Sequence, residues 1–582
     1  MEHLKWIWQY LKKRLNRFIP GLCVSFAVAL MGLINPYVSG RIIGSIQDGT
    51  WKEALGASLA ILVGATLLRA IARYAMLLIF ETTSQMIVLD LRQDIYAWVH
   101  SQNYSFFDSN RVGDIMARMT GDLDAVRHFT SYVIYAVFEN AVVFVGAVSL
   151  MMAISWQLTL MMLLVAPVIF ISAVRQSREV KPAFFNVREQ FSKLNSVCEE
   201  NIGGNRVVKA CAKEDYEILK FTQANQAFYD ANVASANIWV KYLPIMEFCA
   251  GLLSFFLLLA GGIMVILEKL ELWQMVAING YLWAVNNPLR MLGWLINDVQ
   301  NFFASADKIF NMIRKKIYIK NPERPVHSGK LLGKVEFKEV SFGYDKNNPK
   351  ALALRNLSFT AKPGSSIGIV GATGAGKTTL ANLIGRFYDA SLGEVLVDGV
   401  NVKDYDLVDL RRGIAYAAQD VFLFSDTVEG NIAYGAPEIG MEKVVDAAKT
   451  ACADSFIRSL ENGYDTIVGE RGVGLSGGQK QRLSLARALA ADPSILILDD
   501  TSSAVDMETE HDIQVALKEK FAGRTTFIIA HRISSVRNAD LILVLDSGAI
   551  AESGTHEELM GRKGYYWDLY ASQYGADAGR DF

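Results

Sequence analysis

Long apolar stretches constrain the fold of this chain more than any other feature of its sequence. A helix needs about 20 apolar residues to cross ~30 Å of hydrocarbon. Stretches of that length occur roughly at 18–43, 54–80, 130–154, 157–178, 239–266 and 272–303. The sequence therefore predicts an all-α region with six membrane-spanning helices. An even number of crossings returns the chain to the side on which it began.

Positive charges predict which side that is. Outside the apolar stretches, Lys and Arg concentrate in the first seventeen residues and in two long connections, at about 81–129 and 179–238. The short connections between the other crossings hold few, chiefly Arg41, Lys52 and Lys269. Cytoplasmic segments carry the excess of Lys and Arg, so the N-terminus, both long connections and everything after residue 304 are predicted to be cytoplasmic. No small-residue cleavage site follows the first apolar run, which predicts an uncleaved span in the cell membrane.

Composition agrees with a membrane part joined to a soluble part. The 582 residues are 51% hydrophobic and 20% charged, and a chain of that length is expected to form more than one domain. A net charge of −2 gives no large basic surface for nucleic acid. The cysteines are odd in number, scattered and without a CxxC pair, which argues against a disulfide framework or a zinc site; they are Cys23, Cys198, Cys211, Cys249 and Cys452.

The character of the sequence changes near Lys315. We predict a transmembrane domain over 1–314, a polar linker over 315–334 containing Pro322 and Pro325, and a second domain over 335–582. In the second domain short β-rich runs alternate with helical stretches; the runs are Val335–Phe337, Ser366–Val370, Ile495–Leu498, Thr525–Ala530 and Leu541–Leu545. Such alternation predicts an α/β domain with a mostly parallel sheet covered by helices.

A phosphate-binding loop lies between the second of these runs and a helix. The segment from Gly371 to Thr378 fits the pattern G-x-x-x-x-G-K-[ST], in which glycines let backbone N–H groups close around phosphates at a helix N-terminus. Lys377 is predicted to reach the β- and γ-phosphates of ATP and Thr378 to bind Mg²⁺. The other predicted ATP contacts of the loop are Thr373, Gly374, Ala375, Gly376 and Thr379.

Two further segments extend this nucleotide chemistry. The apolar run from Ile495 ends in two carboxylates, of which Asp499 suits a Mg²⁺ ligand beside a phosphate-binding loop. The pentapeptide Leu475-Ser476-Gly477-Gly478-Gln479 opens a helix and offers a second anion-binding helix start. One nucleotide needs only one phosphate cradle, so the second cradle predicts that two such domains meet in a dimer.

With these motifs in order, the chain resembles an ABC transporter of the exporter type, specifically a half-transporter of the multidrug kind, over essentially its full length. The resemblance implies that Tyr344 stacks on adenine, that Gln419 touches Mg²⁺ and the attacking water, and that His531 contacts the γ-phosphate. It also implies that Val468–Gly472 contacts the cytoplasmic loops and that Ser503–Asp506 reaches the opposite site. Phe107 to Asp124 and Gly204 to Ala210 resemble the family's two loops that dock on the ATPase.

One position departs from the family pattern. The family usually has Glu after the Mg²⁺-binding Asp, to polarise the hydrolytic water, and this chain has Asp500. The resemblance is therefore to the degenerate-site half of a paired exporter, which predicts a second, catalytically complete half-transporter as partner. An active homodimer in which Asp500 is the catalytic carboxylate, a non-catalytic regulatory half and an importer on the same fold remain alternatives.

Polar residues within the predicted crossings indicate where an amphipathic drug, lipid or peptide is handled. Charges facing lipid cost several kcal/mol, so such residues should face the bundle interior or a watery cavity. We expect the substrate to contact Tyr281, Trp283 and the neighbouring polar residues Arg69, Arg73, Glu247, Asn286, Asn287 and Arg290. The alternative is an internal Arg–Glu pair that only holds helices together.

Overall fold

The computed structural model describes residues 2–345, 348, 351–469, 472, 474–501 and 505–574. It divides into two compact units. The first comprises Met1–His100 and Arg111–Lys315, and the second Ser101–Asn110 and Lys316–Phe582. The short segment Ser101–Asn110 thus belongs to the second unit, although its neighbours in sequence belong to the first.

The first unit is helical throughout its described elements. Its helices are α1 (Glu2–Lys12), α2 (Leu15–Gly32), α3 (Ile34–Gln47), α4 (Trp51–His100), α6 (Val112–Ala117), α7 (Leu123–His128), α8 (Ile134–Ile154), α9 (Trp156–Leu163), α10 (Ala166–Gly203), α11 (Asn205–Ala210), α12 (Glu214–Phe256), α13 (Gly262–Ile266) and α14 (Leu272–Ile313), with α5 (Tyr104–Ser109) in the second unit. Helix α4 has 50 residues, or ~75 Å at 1.5 Å per residue. The predicted long connections are therefore largely continuations of the spanning helices.

Five helical segments among the described residues are long and apolar enough to cross a membrane: Leu15–Gln47, Leu55–His100, Val112–Ile154, Trp156–Gly203 and Glu214–Ile266. The sixth predicted crossing is the 42-residue helix α14. It is less apolar because Gln274, Asn279, Asn286 and Asn287 interrupt it. It packs against α3, α8 and α10.

The first crossing is broken between α2 and α3. Pro36 has no N–H with which to bond the carbonyl of Gly32, so the helix is interrupted there. Tyr281 of α14 is fully buried, and its hydroxyl donates a hydrogen bond to the carbonyl oxygen of Leu33 at 2.8 Å. Small residues let α3 and α14 approach closely, since a Cβ on Gly40 would lie 2.6 Å from the carbonyl oxygen of Trp273.

The second unit contains two sheets in its described residues. An antiparallel sheet has the order β2-β1-β4-β5, and a larger sheet has the order β10-β9-β3-β8-β7-β6, parallel except for the β9–β10 pair. The strands are β1 (Val335–Phe342), β2 (Leu354–Ala361), β3 (Ser366–Gly371), β4 (Leu392–Val397), β5 (Val400–Asn401), β6 (Ile414–Ala417), β7 (Ile495–Asp499), β8 (Thr525–Ile529), β9 (Leu541–Asp546) and β10 (Ala549–Gly554). The larger sheet confirms the predicted α/β domain; the antiparallel sheet was not predicted.

Helices cover the larger sheet and form three hydrophobic clusters with it, two of which contain β7. Helix α15 packs with β3, β7 and β8 in one cluster, whereas α17, α18 and α20 pack with β6 and the other face of β7 in the second. The helices are α15 (Lys377–Ile384), α16 (Leu407–Arg412), α17 (Val428–Ala433), α18 (Met441–Thr450), α19 (Asp454–Arg458), α20 (Gly477–Ala490), α21 (Met507–Lys520), α22 (His556–Arg562) and α23 (Tyr565–Tyr574).

The segment predicted to be a linker lies against the second unit from Lys316 onward. Val326 forms a parallel bridge with Tyr405, and Leu331 is buried in the core beneath the antiparallel sheet. The carboxylate of Asp398 accepts backbone hydrogen bonds from Leu332, Gly333 and Lys334. Burial of Leu331 and these bonds fix a stretch whose prolines and charges suggested a free connection.

Candidate nucleotide site

The glycine-rich loop joins the end of β3 to the start of α15. Gly371, Gly374 and Gly376 all have left-handed φ angles, of 151°, 83° and 98°, which glycine adopts without steric cost. A Cβ on Gly376 would lie 2.6 Å from the Leu354 side chain, whereas Gly374 has open space around it. The loop therefore has the backbone shape and free room that a phosphate cradle requires.

Lys377 points back into this loop. Its side chain is only 6% exposed, and Nζ donates hydrogen bonds to the carbonyl oxygens of Gly371 at 2.8 Å and Ala372 at 3.0 Å. Burial lowers the pKa of the ammonium group, and the carboxylates of Asp499 and Asp500 partly offset that effect. The loop thus holds a poorly solvated positive charge, which suits an anionic ligand.

Asp499 ends strand β7, which lies between β8 and β6, and is 2% exposed. Burial raises the pKa of its carboxyl group, and hydrogen bonds from Tyr416 and Thr378 act in the opposite direction. The Tyr416 hydroxyl donates to Oδ2 of Asp499 at 2.8 Å. The fold thus brings together Thr378 and Asp499, which the sequence assigns to Mg²⁺, and adds Tyr416, which sequence analysis did not identify.

Asp500, Gln419 and His531 follow three adjacent parallel strands, β7, β6 and β8. In such sheets ligands bind outside the carboxyl ends of the strands. Asp500 has a left-handed φ of 48°, and its backbone N–H donates to the Ile529 carbonyl oxygen at 2.9 Å. Gln419 and His531 are exposed, and the His531 carbonyl accepts a hydrogen bond from Gln573 at 2.7 Å.

Tyr344 lies beside the start of α15. Its hydroxyl is 2.9 Å from the Thr379 hydroxyl, and 52% of the residue is exposed. Its ring meets the edge of the Tyr388 ring at a centroid separation of 5.2 Å. An exposed aromatic ring next to the phosphate-binding helix is suited to stacking on a base.

Ser476 caps the N-terminus of α20 in a capping box with Gln479. The Gln479 backbone N–H donates to the Ser476 hydroxyl at 3.3 Å, and the Ser476 N–H donates to the Gln479 side chain at 2.9 Å. Gly477 and Gly478 form the first turn of the helix, which packs in a different hydrophobic cluster from α15. Of the other implied contacts, Glu470, Arg471, Ser503 and Ala504 lie outside the described residues.

The segment Ser101–Asn110 packs on the surface next to this site. Tyr104 stacks on Phe387 with ring centroids 4.6 Å apart, and Tyr388 donates a hydrogen bond to the carboxylate of Asp108. Burial, followed by the bond to Asp108, raises the pKa of the Tyr388 hydroxyl. The family resemblance implied that the loop beginning at Phe107 and Asp108 docks on the second domain. The hydrogen bond between Asp108 and Tyr388 is such a contact.

The helical unit contains a polar cavity of about 150 Å³. It is lined by Arg69, Arg73, Tyr132, Tyr135, Ala136, Glu139, Asn140, Val143, Trp283, Asn287, Pro288 and Met291. Arg73 pairs with Glu139 at 3.4 Å. Arg69 forms no ion pair with any residue in the described ranges, and its guanidinium lies over Gly32, where a Cβ would be 3.0 Å from Nη2.

This cavity changes several expectations about substrate contacts. Arg69, Arg73, Trp283 and Asn287 line it, as predicted, but Glu247 does not and is exposed. Asn286, Arg290 and Tyr281 also lie outside the lining, and Tyr281 is fully buried with its hydroxyl bonded to the Leu33 carbonyl oxygen. The helical repeat explains why only some residues of α14 line the cavity. Trp283 and Asn287 are four residues apart and therefore lie on the same face of the helix.

These arrangements fit ATP and Mg²⁺. The loop offers open room at Gly374 and a buried cation at Lys377, and the carboxylate of Asp499 supplies the oxygen ligand that Mg²⁺ prefers. When bound, Mg²⁺ would neutralise charge on the transferred phosphate oxygens. Thr378, Asp499 and Gln419 are the residues that the sequence predicts would hold it.

Comparisons with known proteins agree with this geometry. Residues 18–289 match the "ABC transporter transmembrane region" family and residues 354–503 the "ABC transporter" family. The chain is 41% identical to the "Uncharacterized ABC transporter ATP-binding protein YknU" of Bacillus subtilis (84% of this chain, 83% of YknU) and 34% identical to an "ATP-dependent lipid A-core flippase" of Syntrophus aciditrophicus (87% and 83%).

A solved structure entitled "Structure of a bacterial Atm1-family ABC exporter with ATP bound" superposes with a TM-score of 0.82 at 27% identity, covering 97% of this chain and 99% of that one. These matches confirm the predicted fold, the multi-pass membrane location with a cytoplasmic ATPase domain, and the binding of ATP. The chain therefore belongs to the ABC transporter family, as an exporter-type member that couples ATP hydrolysis to transport across the cell membrane.

Proposed function

We propose that this chain is one half of a heterodimeric exporter of amphipathic substrates, in which its own ATP site is slow and its partner's site is complete. Asp500 carries the proposal, because Glu usually follows the Mg²⁺-binding Asp in this family. Aspartate is one methylene shorter, so its carboxylate falls about 1 Å farther from the attacking water, and a misplacement of that size costs about 100-fold in rate.

The backbone at Asp500 supports this interpretation. A φ of 48° is unfavourable for most side chains, but Asp and Asn tolerate it more easily than other residues. Aspartate at this position therefore lowers the conformational free energy of the strained backbone, but it also moves the carboxylate away from the attacking water. Such an exchange suits a half whose site has to bind ATP without turning it over quickly.

The remaining residues bind nucleotide and complete a dimer. Lys377 and the loop amides hold phosphates, and Tyr344 provides the surface for adenine. Ser476, Gly477 and Gly478 form an intact second cradle at the start of α20, which serves the partner's ATP. With this cradle intact, the chain can complete the ATP site of a partner half that has Glu at the position of Asp500 and therefore hydrolyses ATP quickly. Closure of the two ATPase domains would then convert the membrane cavity from inward- to outward-facing.

Purification of the chain alone and together with a candidate partner half tests the proposal. We expect substrate-stimulated ATPase activity only from the mixed complex, and we expect that activity to survive Asp500→Asn in this chain. Vigorous ATPase from the lone chain that Asp500→Asn abolishes would instead establish an active homodimer. A mixed complex whose activity is lost with Asp500→Asn would also contradict a slow site here.

For the substrate, we propose an amphiphile with an acidic head group. Relatives are named for such cargo: a lipid A-core flippase and, at 35% identity over 522 residues, a "Fatty acid ABC transporter ATP-binding/permease protein" of Mycobacterium bovis. In the cavity, the charge of Arg73 is balanced by Glu139, whereas Arg69 has no such partner in the described part of the chain. Trp283 and Tyr132 supply the apolar surface for the tail.

Arg69→Gln should weaken binding of a fluorescent fatty acid by about tenfold or more, because a charge-assisted hydrogen bond contributes about 1.5–3 kcal/mol. Fluorescence titration of the purified full-length chain measures this without requiring hydrolysis. Arg290→Gln, an arginine of α14 outside the cavity, is the matched control and should bind normally. Equal weakening for an uncharged alcohol of the same chain length would contradict recognition of an acidic head group.

A further inference from the structure

Strand β6 brings a tyrosine to the metal-binding end of β7. Tyr416 pairs in parallel register with Ile497, and Asp499, two residues further along, faces the same side of the sheet. The Tyr416 hydroxyl donates to Oδ2 of Asp499 at 2.8 Å, although the two residues are 83 positions apart. The bond therefore depends on the order of the strands.

The aromatic ring of Tyr416 is itself held in place. The Phe387 ring meets it edge-on at a centroid separation of 6.1 Å, and Phe387 in turn stacks on Tyr104 at 4.6 Å. Tyr416 is partly buried and also packs against the hydrophobic core that contains α15 and β7, so ring contacts as well as the hydrogen bond direct its hydroxyl at the carboxylate. One oxygen of Asp499 is thereby fixed in a defined direction.

We propose that Tyr416 is a positioning residue for Mg²⁺, which orients the Asp499 carboxylate toward the metal that accompanies ATP. The proposal rests on the proposed function as an ATP-driven exporter and on the prediction that Asp499 is the Mg²⁺ ligand of its ATP site. Outer-shell partners that hydrogen-bond to ligating carboxylates orient them, and their loss typically costs about 10- to 100-fold in metal affinity or activity. The hydroxyl of Tyr416 is placed to have that role here.

Tyr416→Phe removes the hydroxyl and leaves the ring packed against Phe387. We expect at least about a tenfold loss in Mn²⁺ affinity at saturating ATP, measured by electron paramagnetic resonance on the full-length chain with Mn²⁺ as the probe. Binding of a fluorescent ATP analogue in EDTA should not change. Neither measurement requires hydrolysis, so a slow site does not obscure the result.

Tyr464→Phe is the matched control. Tyr464 donates to Oδ1 of Asp454 at 2.7 Å, a bond of the same kind in a different part of the unit, and its loss should leave Mn²⁺ affinity unchanged. Asp499→Asn tests the metal ligand itself. If Asp499→Asn leaves Mn²⁺ affinity unchanged, the metal assignment itself is wrong.

If Asp499→Asn weakens Mn²⁺ binding and Tyr416→Phe does not, the positioning role of Tyr416 is wrong and the metal assignment stands. Loss of nucleotide binding in EDTA together with a lower melting temperature for Tyr416→Phe would show a purely structural role and overturn the inference. Selective loss of Mn²⁺ affinity with unchanged EDTA binding supports it.

Discussion

Asp500→Glu should raise the ATPase rate of the chain purified by itself by up to about 100-fold, because the added methylene restores the carboxylate to the attacking water. The remaining predicted catalytic residues, Gln419 and His531, follow the neighbouring strands and need no change. The rate is measured as phosphate release at saturating Mg-ATP. ATP affinity should stay nearly constant, since the substituted group acts on water rather than on the nucleotide.

Because Asp500 has a left-handed φ, Asp500→Glu can also destabilise the fold through backbone strain, and a control must separate that effect from the effect on rate. Asp492 also has a left-handed φ, of 51°, and its side chain is largely exposed. Asp492 precedes β7, at the opposite end of that strand from Asp500. Asp492→Glu makes the same chemical change there and should alter the melting temperature without altering the rate. An unchanged rate in a well-folded Asp500→Glu protein would mean that the length of this side chain does not limit hydrolysis.

Lys377→Ala should weaken ATP binding at this chain's own site by about 10- to 100-fold, the expected cost of losing a charge-assisted interaction of about 1.5–3 kcal/mol. The ammonium group is the one charge that the loop directs at phosphate, amid neutral backbone amides. Labelling with a photoreactive ATP analogue measures the loss. Insertion into the membrane should not change, because Lys377 belongs to the cytoplasmic unit.

Lys377 is nearly buried, so truncation to alanine also leaves a small cavity. Lys377→Met keeps most of the volume and should weaken binding equally if charge is the cause. Lys338→Ala, an exposed lysine on β1, is the control and should label like wild type. Labelling of both Lys377 variants at the wild-type level would contradict the assigned role.

The sequence alone determined the features that depend on neighbouring residues. Spanning segments follow from runs of apolar side chains, sidedness from nearby charges, and the phosphate loop from glycines and Lys377 within eight positions. Each of these features can be predicted from a short stretch of sequence. One continuous segment is enough to cross the membrane or to turn around a phosphate. The membrane unit, the α/β unit and the ATP site were predictable for this reason.

Only the tertiary structure decided which distant residues meet. Tyr416 and Asp499 are 83 positions apart, Arg73 and Glu139 are 66 apart, and Asp108 and Tyr388 are 280 apart. Residue type alone makes Glu247 a candidate partner for an arginine and Tyr281 a candidate substrate contact, because it indicates that a buried charge or hydroxyl needs a partner but not which one. The order of the strands and the phase of each helix determine the partner, and both are set by packing between segments that the chain separates widely.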